Sequence, residues 1–85
     1  MFAVYILESL KNGKWYYGST GRLTERITDH NTNHHHYTGG KGPWKLIFRR
    51  DFDDLSTALA FEKELKKLRN KRFIKEKFKD YFLIL

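Results

Sequence analysis

The Asn12-Gly13 dipeptide does more than any other feature to limit the folds open to this chain. It stands between two runs rich in β-branched and aromatic residues, Phe-Ala-Val-Tyr-Ile-Leu-Glu at 2–8 and Trp-Tyr-Tyr-Gly-Ser at 15–19. Both central positions of the tightest hairpin turns need positive φ, which Asn and Gly adopt at low cost, so the dipeptide predicts a two-residue hairpin. With Asn12 and Gly13 as the turn, Ser9 faces Tyr16 and Leu7 faces Gly18. Odd positions of the first strand then share a face with even positions of the second. Tyr5 and Tyr16 fall on the same side, offset along the strands by about four residues, or roughly 13 Å.

Beyond the hairpin the period changes. Leu23 and Ile27 are one turn apart and predict a helix over about Arg22 to Asn31, entered through Thr20 or Gly21. Arg22, Arg26 and His30 form a second row on it, beside the apolar one. Residues 32–43, with three consecutive His, three Gly and the only Pro, read as a loop. From Trp44 to Asp51 the alternation of Trp44, Leu46 and Phe48 with Lys45, Ile47 and Arg49 predicts a half-buried strand. Asp53, Asp54 and Ser56 offer N-cap chemistry for a helix running to about Arg69. Lys71 to Tyr81 reads as a shorter helix carrying Phe73, Ile74 and Phe78, and the apolar end, Phe82 to Leu85, is expected to pack back on the body. The order β-β-α-β-α-α predicts an α+β fold, a three-stranded antiparallel sheet flanked by helices, as one domain over residues 1–85.

Composition narrows the function. The 85 residues carry 17 Lys and Arg against 10 Asp and Glu, a net charge of +7, so a polyanion is the natural partner. The absence of Cys excludes disulfides, thiolate zinc sites and cysteine nucleophiles. No apolar run approaches the ~18–20 residues of a membrane span, and the start lacks a signal-peptide layout, so a soluble, cytoplasmic protein is expected. Oligomeric state stays open. Nine of the 17 basic residues lie in 63–79, opposed only by Glu64 and Glu76. A solvated face usually mixes signs more evenly, and Lys66, Lys67, Arg69, Lys71 and Arg72 are therefore candidates for a nucleic-acid surface.

Among the residues able to do chemistry, Glu62 is the most telling. On a wheel with Leu55 at zero, Ala58, Leu65, Phe61 and Leu68 cover about −60° to −140° and Glu62 falls near −20°, at the margin of the apolar arc. A carboxylate there is either paired with a cation or used, and Lys66, one turn on, offers an ordinary Glu–Lys pair. Tyr5 and Tyr16 equally suit simple strand packing. The His34–His36 run lacks thiolate support and its neighbours do not converge easily on one metal, so a loop that touches phosphate is the plainer reading.

In this order and spacing the residues resemble the GIY-YIG nuclease family. The first signature stands as Ala3-Val4-Tyr5 and the second as Tyr16-Tyr17-Gly18-Ser19-Thr20. Arg26 and His30 follow at the family's helical positions, and Ala58 through Lys67 is similar to the helix that presents its metal-binding glutamate, here Glu62. Tyr37-Thr38 and Gly42-Pro43-Trp44-Lys45-Leu46 look like the middle of small stand-alone bacterial members, similar to the GIY-YIG nuclease module of the bacterial excinuclease, a DNA repair enzyme. The first motif keeps only its tyrosine, the second has Tyr17 in place of Ile, and Asn70 is the nearest candidate for the family's late Asn.

The resemblance implies a DNA endonuclease dependent on Mg²⁺ or Mn²⁺. Glu62 would hold the metal, Arg26 the phosphoryl oxygens, and Tyr5 or Tyr16 would take the proton of the attacking water. His30 would relay that proton or bind phosphate. Branched, damaged or single-stranded DNA is as plausible a substrate as a particular sequence. The alternative is a nucleic-acid-binding module with the same basic surface and little or no cleavage.

Overall fold

The computed structural model describes residues 1–31 and 42–83. Phe2–Ser9 (β1), Trp15–Thr20 (β2) and Trp44–Phe52 (β3) form an antiparallel sheet in the order β2-β1-β3. The helices are Leu23–Asn31 (α1), Leu55–Leu68 (α2) and Lys71–Lys77 (α3), followed by a 3₁₀ turn at Lys79–Tyr81. The α+β fold and its element order are those the sequence predicts. The shorter final helix ends at Lys77 and gives way to that turn. No helix among the described residues is long and apolar enough to cross a membrane.

The unbroken apolar run of β1 explains its central place. Ala3, Val4, Tyr5, Ile6 and Leu7 are all buried, so both faces of the strand are covered, as continuous apolar strands require. On one face Val4, Ile6 and Phe48 pack with Ala58, Phe61 and Leu65 of α2 and with Ile74 and Phe78 beyond it. On the other, Tyr5, Leu7 and Trp44 pack with Tyr16, Leu46 and the α1 residues Leu23 and Ile27. The sheet is a wall between two layers of helix.

Two local features depart from the sequence reading. The hairpin register pairs Leu7 with Tyr16 and Tyr5 with Gly18, two residues from the expected alignment. Ser9 is the cause: its hydroxyl accepts from the N–H groups of Lys11 and Asn12, while Gly13 N–H donates to Ser9 O. The loop therefore spans Leu10 to Gly13, and only Gly13 takes positive φ, at 74°. A two-residue slip preserves the face of every side chain, so Tyr5 and Tyr16 still share a side, as expected. Second, β3 shifts register opposite Ile6 and Leu7, pairing Ile6 with Phe48 but Leu7 with Leu46. The extra residue at Ile47 turns Phe48 onto the α2 face, away from Trp44 and Leu46, which simple alternation would have kept with it.

Caps fix the helices. Asp54 accepts from Thr57 N–H and its hydroxyl, both at 2.8 Å. Asn70 accepts from Phe73 N–H at 3.0 Å, so this asparagine starts α3. Asn31 clasps the end of α1 to β3, its Oδ1 accepting from Trp44 N–H at 2.6 Å and its Nδ2 donating to Trp44 O at 3.2 Å. Phe82 bridges to Phe48, and Leu83 N–H donates to Ile47 O, which carries the chain end back onto the sheet. Ile84, Leu85 and the His34–His36 loop lie outside the described residues.

Candidate active site

Because β2 is an edge strand, side chains from both faces of the sheet can meet around its unpaired margin. Tyr16 points to the α1 face, while Trp15 and Tyr17 point to the α2 face. A cleft of about 520 Å³ lined by Trp15, Tyr16, Tyr17 and Lys66 bends round that margin.

On the α1 side, three rings form a cluster. The Tyr5 and Tyr16 centroids are 6.4 Å apart, Tyr16 and His30 are 4.7 Å apart, and Tyr5 Oη is hydrogen-bonded to His30 Nε2 at 3.2 Å. The slipped register accounts for this closeness, since it brings the tyrosines to an offset of two residues, or about 7 Å. Tyr5 lies directly opposite Gly18, and its phenol fills the space a side chain there would need. Tyr5 and His30 are 2% and 1% exposed, whereas Tyr16 is half-buried and reaches the cleft. The row Arg22, Arg26, His30 thus runs from solvent into the interior: Arg26 is exposed, in a shallow depression with Thr20 and Asp29, and His30 is sealed beneath the tyrosines. Burial pushes the Tyr5 phenol well above its ordinary range; Tyr16 and Glu62 push the same way, and the Arg26 guanidinium opposes them.

Glu62 comes from the opposite layer. It is held at the same edge, because its Oε1 accepts from the hydroxyl of Ser19, the residue after Gly18. Its Oε2 pairs with Lys66 Nζ at 2.7 Å, the helix pair anticipated from the spacing. The Glu62 side chain is 15% exposed and that of Lys66 54%. Sequence reasoning gave Ser19 no role. Its signal was parity: an odd position on an edge strand, on the face that α2 covers. Among the described residues no group of three or more His, Asp or Glu is assembled. A lone carboxylate with hard oxygen donors, beside an open cleft, fits Mg²⁺ or Mn²⁺, which keep most of their waters, and does not fit zinc.

The basic segment is partly committed to the fold. Lys71 Nζ donates to Gly13 O and lies 5.1 Å from the Trp15 ring, with Lys75 at 5.7 Å. Arg72 pairs with Glu76 at 3.4 Å, both well exposed. Lys67 and Arg69 are exposed, and Arg69 closes α2 in the left-handed region at φ 52°.

Comparison with known proteins decides the family. The model of the GIY-YIG catalytic domain matches residues 1–78. The chain belongs to the GIY-YIG family. Within it, the chain is 37% identical over 70 residues to the UPF0213 protein BH0048 of Halalkalibacterium halodurans, covering 81% of this chain and 73% of that one. The solution NMR structure of that small GIY-YIG protein superposes with a TM-score of 0.54 at 35% identity, over 89% of this chain and 81% of the other. In this GIY-YIG domain the two signature tyrosines are the pair at 6.4 Å, and the glycine of the second signature is the residue on which the first tyrosine rests.

Proposed function

We propose that this GIY-YIG domain is an endonuclease that hydrolyses DNA phosphodiester bonds at the β2 edge with the help of Mg²⁺ or Mn²⁺. One observation carries the reading: residues of four elements converge on one strand edge. There the Tyr5 ring lies 6.4 Å from that of Tyr16 and against Gly18, Arg26 stands one turn before the His30 that bonds Tyr5, and Glu62 is bonded to Ser19, the residue after Gly18. Phosphodiester hydrolysis needs a proton acceptor for water, cationic support for the phosphoryl oxygens and help for the leaving oxygen. When bound, a divalent ion would supply charge neutralisation and lower the pKa of water; Glu62 is the residue that would hold it.

The side chains divide the remaining work by exposure. Tyr16 faces the cleft and is the phenol that can touch water, so, ionised to the phenolate, it is the one that takes the proton. Tyr5 keeps its own proton, because burial disfavours its phenolate, and with His30 it fixes the ring of Tyr16. Arg26, exposed and planar, grips the phosphoryl oxygens in a bidentate manner that Lys would not match. Lys66, Lys67 and Arg69 hold the flanking backbone.

A second reading, a DNA-binding module without cleavage, draws support from the Glu62–Lys66 pair, which gives the carboxylate a structural task. Incubation with supercoiled plasmid and Mg²⁺ or Mn²⁺ separates the two. Nicking that disappears with EDTA, with Glu62→Gln and with Arg26→Ala is the expected result. Cleavage that persists in both variants defeats the site assignment; binding without any cleavage supports the module.

A further inference from the structure

Both oxygens of Glu62 are engaged, and the two partners differ in kind. Ser19 belongs to the sheet, so its hydroxyl is a fixed anchor. Lys66 is a charge on a four-carbon stem, more than half exposed, lining the cleft it shares with Tyr16. A divalent cation and an ammonium on one carboxylate oxygen repel each other and compete for its charge. A cation therefore binds Oε2 more tightly once Lys66 has left it. Since the described residues lining the cleft, Trp15, Tyr16, Tyr17 and Lys66, include no second carboxylate, a phosphate lying there is the counter-charge that draws Lys66 away. We propose that Lys66 is a positioning residue that exchanges between Glu62 and a DNA phosphate, so that DNA binding itself opens the carboxylate to the metal. The proposal rests on Glu62 being the metal-binding residue. It makes cation and DNA binding mutually reinforcing through one side chain, with Ser19 keeping the carboxylate in place during the exchange.

Direct binding of Mn²⁺ to the full chain without DNA, followed by electron paramagnetic resonance, tests this. Lys66→Met should tighten Mn²⁺ binding about tenfold by removing the competing charge. Lys66→Arg, which keeps that charge, should remain within about twofold of wild type. Adding Glu62→Gln to Lys66→Met should abolish the gain. Unchanged Mn²⁺ affinity in Lys66→Met, with Glu62→Gln still weakening it, overturns the exchange and leaves Glu62 as ligand. No effect of Glu62→Gln on any background overturns both the exchange and the reading beneath it. Independently, binding of a short DNA duplex in EDTA, measured by fluorescence anisotropy, should tighten severalfold in Glu62→Gln, which releases Lys66. The same substitution should give a clearly smaller gain in Lys66→Met. Equal gains on the two backgrounds reduce the effect to simple repulsion and refute the exchange.

Discussion

Gly18→Ala tests the link between the two signature motifs. A Cβ at Gly18 would lie 2.5 Å from Tyr5 Oη, 2.6 Å from Cζ and 3.0 Å from Cε1. The ring cannot retreat cheaply, since Tyr5 is 2% exposed and hydrogen-bonded to His30. Forcing an extra carbon into a filled site costs about 1–3 kcal/mol. Losing the phenol's hydrogen bond adds about 1 kcal/mol, and replacing a strand glycine returns roughly 0.5–1 kcal/mol. The balance is a loss near 2 kcal/mol, and for a domain of this size that lowers Tm by roughly 8–16 °C, measurable by circular dichroism. Leucine at position 5 lacks the colliding ring atoms, so the Gly18→Ala penalty should shrink by at least ~1 kcal/mol in a Tyr5→Leu background. A Gly18→Ala protein melting within about 2 °C of wild type would refute the claim that the motif glycine is space reserved for Tyr5.

Other consequences follow from the same geometry. Because the folded Tyr5 phenol titrates above its unfolded value, its contribution is complete below about pH 10 and is lost as pH rises beyond it, at up to ~1.4 kcal/mol per pH unit. Alkaline denaturation should accordingly be shallower in Tyr5→Phe. Asp54 moves the other way, since hydrogen bonds from Thr57 hold its carboxyl below the ordinary range. Its capping contribution is present above the unfolded carboxylate value and disappears as pH falls through the folded one. Asp54→Ala should lower Tm at pH 7 and remove that part of the acid dependence. Arg69→Gly relieves a left-handed conformation at the end of α2 and should raise stability by about 0.5–1 kcal/mol, while weakening DNA binding at low salt. Melting curves and a salt titration of DNA affinity read the two effects separately.

The fold was legible because period and propensity agreed along most of the chain. The apolar run of β1, the Leu23–Ile27 stripe and the Asp54 cap each pointed to one structure. Register was less legible. An Asn-Gly pair favours a two-residue turn, yet the Ser9 hydroxyl competes for the same N–H groups and lengthens the loop to end at Gly13. The bulge at Ile47 carried no local mark, because Ile47 and Phe48 are both apolar and both pack beside α2. Within the candidate site, parity placed Tyr5 and Tyr16 on one face and the helical wheel set Glu62 at the apolar margin, but it was the family resemblance that joined them with Arg26 and His30. What distinguishes them is burial, and burial depends on where α1 places His30 against the tyrosine rings, which a single row of four-residue spacing does not encode.

The sheet order gives this arrangement its logic. On a central strand, residues of opposite parity are kept apart by the sheet, so a tyrosine on the α1 face and a carboxylate from α2 could not share a ligand. On β2 the outer margin is unpaired, and the wall ends there. Tyr5, although central, extends toward that margin because Gly18 leaves room for its phenol against the neighbouring strand. Glu62 reaches it from beneath because Ser19, one residue on, faces the other way. The sequence Gly18-Ser19 thus serves two layers in succession: an absent side chain admits the phenol from above, and a hydroxyl fastens the carboxylate from below. Exchanging the two residues would preserve composition and strand length yet should bury a hydroxymethyl group against Tyr5 and release Glu62 to Lys66 alone. Such a protein should lose stability by at least the Gly18→Ala amount and show no DNA cleavage, a paired result that neither motif considered alone would produce.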